Sequence, residues 1–140
     1  MNTNKIIVAG LVGGIVAFIL GFLIYGMALE SFFAKNAGSA TGVMRDQADF
    51  QWIPMVLGHL SFGLLFAVIF GRWATISTFA TGAKAGAMIG FLISFTYDMI
   101  NYGSTNLMNL TGAIVDILVS IVIAAIVGGV VGLMLGRGSK

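Results

Sequence analysis

The sequence contains no cysteine. Disulfides, thiolate metal sites, cysteine nucleophiles and a lipid-modified cysteine anchor are therefore excluded. Charge is nearly as scarce: 9% of the 140 residues are charged and mean hydropathy is +1.04, against about 25% charged residues in an ordinary soluble domain. That balance excludes a soluble globular fold. The seven Lys and Arg are dispersed, with no two adjacent, so the net charge of +2 builds no basic patch for nucleic acid. There is one histidine, enough for a single axial ligand to a haem or chlorophyll, and no cofactor is required by the sequence. Phosphate-binding loops, nucleophile elbows and dinucleotide fingerprints are absent, because the glycines fall inside apolar runs and not after strands. No nucleophile is marked, and no enzymatic activity is expected.

What the chain does have is hydrophobic length and glycine: 59% hydrophobic residues and 20 glycines. A membrane helix needs about 20 mostly apolar residues. Four such runs occur, at about 6–29, 52–70, 79–100 and 111–135. The expected fold is all-α, a single four-helix transmembrane bundle over residues 1–140 with the lipid bilayer as its first partner. The apolar part of the first run exceeds the 7–15 residues of a signal-peptide core, so it is expected to be a retained helix. Cleavage at the small residues Ala37 to Ala40 is the alternative, which N-terminal sequencing decides.

The distribution of basic residues gives an expected orientation. Lys5, Arg72, Lys84, Arg137 and Lys140 fall on one side and Lys35 and Arg45 on the other, so the positive-inside rule makes both termini cytoplasmic. The inner connection, 71–78, is short, with Arg72 and Trp73 suited to the headgroup region. The first outer connection, 31–51, is long. In it Phe32 and Phe33 suit the interface, 38–42 reads as a turn, and 43–50 is expected to form one or two turns of surface helix. Pro54 falls in the first turn of the second span, where its missing donor is harmless.

Small residues recur every four positions, the spacing that lets membrane helices approach closely. Gly10 and Gly14, then Gly13, Ala17 and Gly21, mark the first span. Gly82, Gly86 and Gly90 mark the third, and Ala124, Gly128, Gly132 and Gly136 the fourth. These seams lie in the inner half, which is expected to pack tightly or to serve a homodimer. The second span, with Gly58, Ser61 and Gly63 ahead of larger residues, is expected to pack peripherally.

All five acidic residues lie towards the outer side: Glu30, Asp46, Asp49, Asp98 and Asp116. A charge inside hydrocarbon costs at least about 2.5–3.5 kcal/mol on insertion scales, so each needs a partner, water or a use. At 1.5 Å per residue, His59, Asp116 and Tyr25 lie roughly 8–12 Å below the outer boundary. Asp98 and Asn101 are nearby and three residues apart, on one helical face. Taken singly, Asp98 reads as a hydrated or capping group, Glu30 as a solvated helix end, and His59 as a hydrogen-bonded interior histidine. Asp116, embedded in apolar sequence, needs a partner or a proton. Together, His59, Asp98, Asn101 and Asp116, closed by Tyr25 or Glu30, form a candidate outer-leaflet site. It suits a divalent metal held by one histidine and two carboxylates, or a proton, cation or small polar solute.

The run Tyr97-Asp98-Met99-Ile100-Asn101, followed by Thr105-Asn106 and then Asp116, resembles the small bacterial four-helix membrane proteins of unknown function. In these, Tyr-Asp-x-x-Asn closes the third helix and an aspartate comes early in the fourth. Residues 21–26 are similar to another such family with an aromatic and a glycine at this place, although its following proline is missing here. The resemblance implies a bacterial plasma (inner) membrane protein and carries no activity. Two functions remain open. The first is a structural or accessory subunit that docks a larger membrane complex through the second span and the long outer loop. The other is a small binding or transport module built on the polar cluster.

Overall fold

The computed structural model describes residues 1–137. Among these, all regular structure is helical apart from one isolated bridge between Ala37 and Met108. The helices are α1 (Thr3–Leu23), α2 (Glu30–Lys35), α3 (Trp52–Val68), α4 (Phe79–Ser104) and α5 (Leu110–Gly136). A π-helical stretch, Ile24–Ala28, prolongs α1, and another, Ile69–Ala74, prolongs α3. With these extensions, four helices of 23 to 27 residues are long and apolar enough to cross a membrane, which marks the chain as a multi-pass membrane protein.

Local chemistry sets the helix ends. The side chain of Asn2 accepts from the Asn4 amide, that of Thr78 from the Thr81 amide and that of Asn109 from the Gly112 amide. Each thereby satisfies a donor that the first turn leaves open. Pro54 is the third residue of α3. The second π stretch stops at Thr75, which adopts a left-handed conformation with φ of 48°, and the chain crosses to α4 over residues 75–78. In this connection Arg72 donates to Thr3 Oγ1 at 2.6 Å, tying the start of α1 to the end of α3, while Trp73 is 77% exposed.

The helices form two antiparallel hairpins, α1 with α3 and α4 with α5, joined chiefly by α1 against α5. Between α3 and α4 there is no extensive contact. The core, including Ile6, Phe66, Phe70, Val127, Val131 and Leu135, lies in the half of the bundle that holds the described ends of the chain.

Close approach in that half is built on glycine. A Cβ placed on Gly82 would fall on the Gly128 carbonyl oxygen, one on Gly86 on the Ala124 carbonyl oxygen and one on Gly90 on Ala124 Cβ. On the other side of the seam, a Cβ on Gly128 would lie 2.9 Å from Gly86 Cα, and Gly132 and Gly136 back onto the carbonyls of Thr78 and Ser77. Gly10 and Gly14 sit against the backbone of Leu64 and Leu60.

Two expectations need correction, and one contact is new. The second span does not pack through large side chains alone: Gly63 is buried where a Cβ would strike Gly10 O and Gly14 N. One glycine opposite two is enough for close contact, so no ladder was needed on α3. Phe66 and Phe70 then fill the space beside it and are wholly buried. Second, residues 43–50 hold only a single 3-10 turn, Gln47–Asp49; the surface helix is α2, earlier in the connection, so Glu30 begins that helix and does not end α1. The new contact is between the two outer connections, which are clasped together. Gly38 N donates to Leu107 O at 2.9 Å, Ala40 N to Asn106 O at 3.1 Å and Asn109 Nδ2 to Asn36 Oδ1 at 3.1 Å. The expected turn at 38–42 includes Gly42 at φ of +68°.

Candidate functional site

Because α3 and α4 diverge, the half of the bundle away from the glycine seams contains a cleft of about 470 Å³. That size falls within the range of about 300–1,000 Å³ common for small-molecule sites. From α1 it is lined by Ala17, Gly21 and Tyr25, and from α3 by Pro54, Met55, Gly58, His59 and Phe62. Gly90, Ile93, Ser94, Tyr97 and Asp98 line it from α4, and Asp116, Ser120 and Ile123 from α5. Four of the residues proposed from sequence, Tyr25, His59, Asp98 and Asp116, thus share one cleft. The other two do not line it. Glu30 is exposed at the start of α2. Asn101 donates to Tyr97 O at 2.8 Å and lines a separate groove on α4 with Leu92, Thr96 and Ile100. Asn101 lies only about 60° around the helix from Asp98, and it is its side-chain bond back to Tyr97 O that commits the amide to the neighbouring groove.

Asp98 is buried and caps no helix or loop. It is 0% exposed, and neither carboxylate oxygen has a hydrogen-bond partner. The Asp116 carboxyl is its electrostatic neighbour and retains partial exposure. The pairing follows from the helix register. Gly82, Gly86, Gly90, Ser94 and Asp98 form one four-residue ladder on α4; Asp116, Ser120, Ala124, Gly128 and Gly132 form another on α5. The antiparallel contacts set Gly82 beside Gly132, Gly86 beside Gly128 and Gly90 beside Ala124. Continued by two steps, the same register brings Ser94 to Ser120 and Asp98 to Asp116. Reading the ladders beyond their glycines would have revealed Ser94 and Ser120, which the sequence reading missed.

The surrounding polar groups are mostly committed. Ser94 Oγ donates to Gly90 O at 2.8 Å, and Tyr25 Oη lies 3.4 Å from Ser120 Oγ and close to Asp116. Tyr25 belongs to the π-helical stretch, closed by the Leu29 amide donating to Ile24 O; the extra residue in that turn changes the direction of the side chains that follow. Gln47 Nε2 donates to Gly26 O at 3.3 Å across this turn.

His59 is held apart from the carboxylates. Its Nδ1 donates to Met55 O at 2.7 Å, the ring meets Phe18 edge-on with centroids 5.4 Å apart, and Nε2 faces Gly21, where a Cβ would lie 2.9 Å away. Gly21 therefore makes room for the imidazole, a role distinct from the helix seam expected of it. Among the described residues no three His, Cys, Asp or Glu side chains converge as metal ligands. The expected combination of His59, Asp98 and Asp116 at one ion does not form; what forms is a carboxylate pair with the histidine on the facing helix.

No Lys or Arg lines the cleft, and the one histidine there, His59, is bonded through Nδ1 to Met55 O on its own helix, so no fixed positive charge compensates the pair. A buried charge without compensation is strongly unfavourable, and the pair is completed by a proton or by a cation from outside. The chain matches no family model, no curated protein and no solved structure.

Proposed function

We propose that this protein is a membrane-embedded binding module whose cleft between α3 and α4 takes up a cation in exchange for a proton on the Asp98 and Asp116 pair. One observation carries the reading: a fully buried aspartate with both oxygens unpartnered on the wall of an open cleft. Intramembrane ionisable residues of this kind are retained for ion or substrate handling more often than for stability. The role is binding and translocation, with no catalytic step.

In this reading both termini are cytoplasmic and the cleft faces the outer leaflet of a bacterial plasma membrane, in keeping with the basic residues and with the resemblance carried by residues 97–101. The glycine ladders of α4 and α5 act as a glycine-zipper seam that holds the two carboxylates in register. A homodimer supplies the further helices that transport across the membrane would need. The accessory-subunit reading rests on exposed apolar residues of α3 such as Ile53 and Leu57. Lipid tails account for these equally well, so the cleft supports the binding function more strongly.

The test uses protein in lipid nanodiscs in weakly buffered solution, with proton release followed as sodium or an organic monocation is added. Release of about one proton per chain is expected in the wild type and none in Asp98→Asn or Asp116→Asn. Absence of cation-dependent release from the wild type, or equal release from all three proteins, overturns the proposal.

A further inference from the structure

We infer that the occupant of the cleft is an organic monocation with an apolar, preferably aromatic, body. The inference rests on the cation-binding reading above and narrows it. A hard metal ion takes six or more oxygen ligands, or several waters in their place, whereas here two carboxylates stand in a mainly apolar enclosure. Phe62 and Tyr97 present aromatic rings, Ile93 and Ile123 aliphatic surface, and Tyr25 a ring beside the carboxylates. An ammonium group placed at Asp116, with Asp98 behind it, gains charge compensation and aromatic contact together, while its body displaces water from the apolar walls.

The way in is between α3 and α4. Pro54, Gly58, Ile93 and Tyr97 line the cleft and are also exposed on the lipid-facing surface, so an amphiphilic cation reaches the site from within the bilayer. A zwitterionic lipid fits less well, because the cleft has no Lys or Arg for its phosphate and its one histidine is bonded to Met55 O and turned towards Gly21. The occupant is accordingly a free cation and not a lipid headgroup. The titratable groups facing the site are Tyr25 from α1, His59 from α3, Asp98 from α4 and Asp116 from α5. On entry of the cation, the proton held by the carboxylate pair leaves to water, so the charge in the cleft is unchanged.

Gly58 supplies a test that leaves the carboxylates untouched. A Cβ there meets nothing within 4 Å, so the side chain of Gly58→Phe starts from open space at the mouth of the cleft. Gly103, where a Cβ also meets nothing within 4 Å, lies outside the cleft, and Gly103→Phe serves as the control.

Benzyltrimethylammonium is titrated calorimetrically into the full chain in phosphatidylglycerol nanodiscs, with proton release recorded alongside and sodium titrated separately. Circular dichroism establishes that each variant is folded; if Asp98→Asn is not, Gly58→Phe carries the test. Saturable binding is expected, with proton release, weakened about tenfold or more in Asp98→Asn and Gly58→Phe and unchanged in Gly103→Phe. Equal affinity in wild type, Asp98→Asn and Gly58→Phe overturns the inference. If sodium displaces an Asp98-dependent proton while benzyltrimethylammonium does not bind, the organic class is wrong and the cation site stands. If neither ion binds nor displaces a proton, both fall. Loss of probe binding when phosphatidylethanolamine is added identifies a lipid headgroup as the occupant and overturns the assignment to a free cation.

Discussion

Asp98 on α4 and Asp116 on α5 continue the two ladders of small residues that hold these helices together, and they meet two helical steps beyond Gly90 and Ala124. Glycines at one end of the seam bring the backbones into contact; aspartates at the other put two acidic groups side by side with no Lys or Arg in the cleft.

Removing one member of this pair should stabilise the bundle. Asp98→Asn keeps the shape of the side chain and removes its charge. Removing one of two neighbouring like charges relieves their repulsion, so the variant is expected to melt at higher temperature than the wild type in detergent. Asp116→Asn should act in the same direction. The double variant should show a coupling of about 0.5 kcal/mol or more, as for other residues in contact. Additive effects would show that the carboxylates do not interact.

Glycines should divide sharply by surroundings. Gly86→Leu drives a side chain into the Ala124 carbonyl, and Gly63→Ala drives a methyl group onto the backbone of Gly10 and Gly14. Overpacking costs about 1–3 kcal/mol, and rigid backbone leaves little room to yield, so losses near the upper end are expected in thermal melts. Gly58→Ala, in open space, should instead gain about 0.5–1 kcal/mol from helix propensity.

The register can be read by crosslinking. As the chain has no cysteine, Ser94→Cys combined with Ser120→Cys is expected to give an intramolecular disulfide on mild oxidation. Ser94→Cys with Ser61→Cys, on a helix that makes no extensive contact with α4, should remain reduced. Gel mobility with and without reductant distinguishes them.

Asn109 has two duties: Oδ1 accepts from Gly112 N at 2.9 Å and Nδ2 donates to Asn36 Oδ1 at 3.1 Å. Asn109→Ala should cost about 1 kcal/mol through the lost cap. Hydrogen exchange should rise at residues 36–40 and 105–112 and stay unchanged at the α1 and α3 contact around Gly10 and Gly63.

Orientation is tested by labelling in cells. A cysteine introduced at Ser39 is expected to react with an impermeant maleimide from outside, and one at Ser77 only after the membrane is opened. The reverse pattern would place the cleft on the cytoplasmic side.

Hydrophobic length alone determined that four segments are membrane helices, because a backbone in hydrocarbon must satisfy its own hydrogen bonds. Their ends were legible to within a few residues from where the apolar runs start and stop, with Pro54 in the first turn of α3 as expected; the caps at Thr78 and Asn109 were not read. The polar layer of Tyr25, His59, Asp98 and Asp116 was legible as depth, since each helix rises by a constant 1.5 Å per residue. Depth does not reveal which faces meet. The tertiary structure decided that Asp98 faces Asp116 while Asn101 bonds back to Tyr97 O, that His59 bonds its own helix, and that Gly63 rests on Gly10 and Gly14. It also decided that α3 and α4 stand apart to leave a cleft. Lipid tails solvate any apolar face almost equally well, so hydrophobicity orders these helices along the membrane normal but leaves their rotation to backbone contacts between small residues.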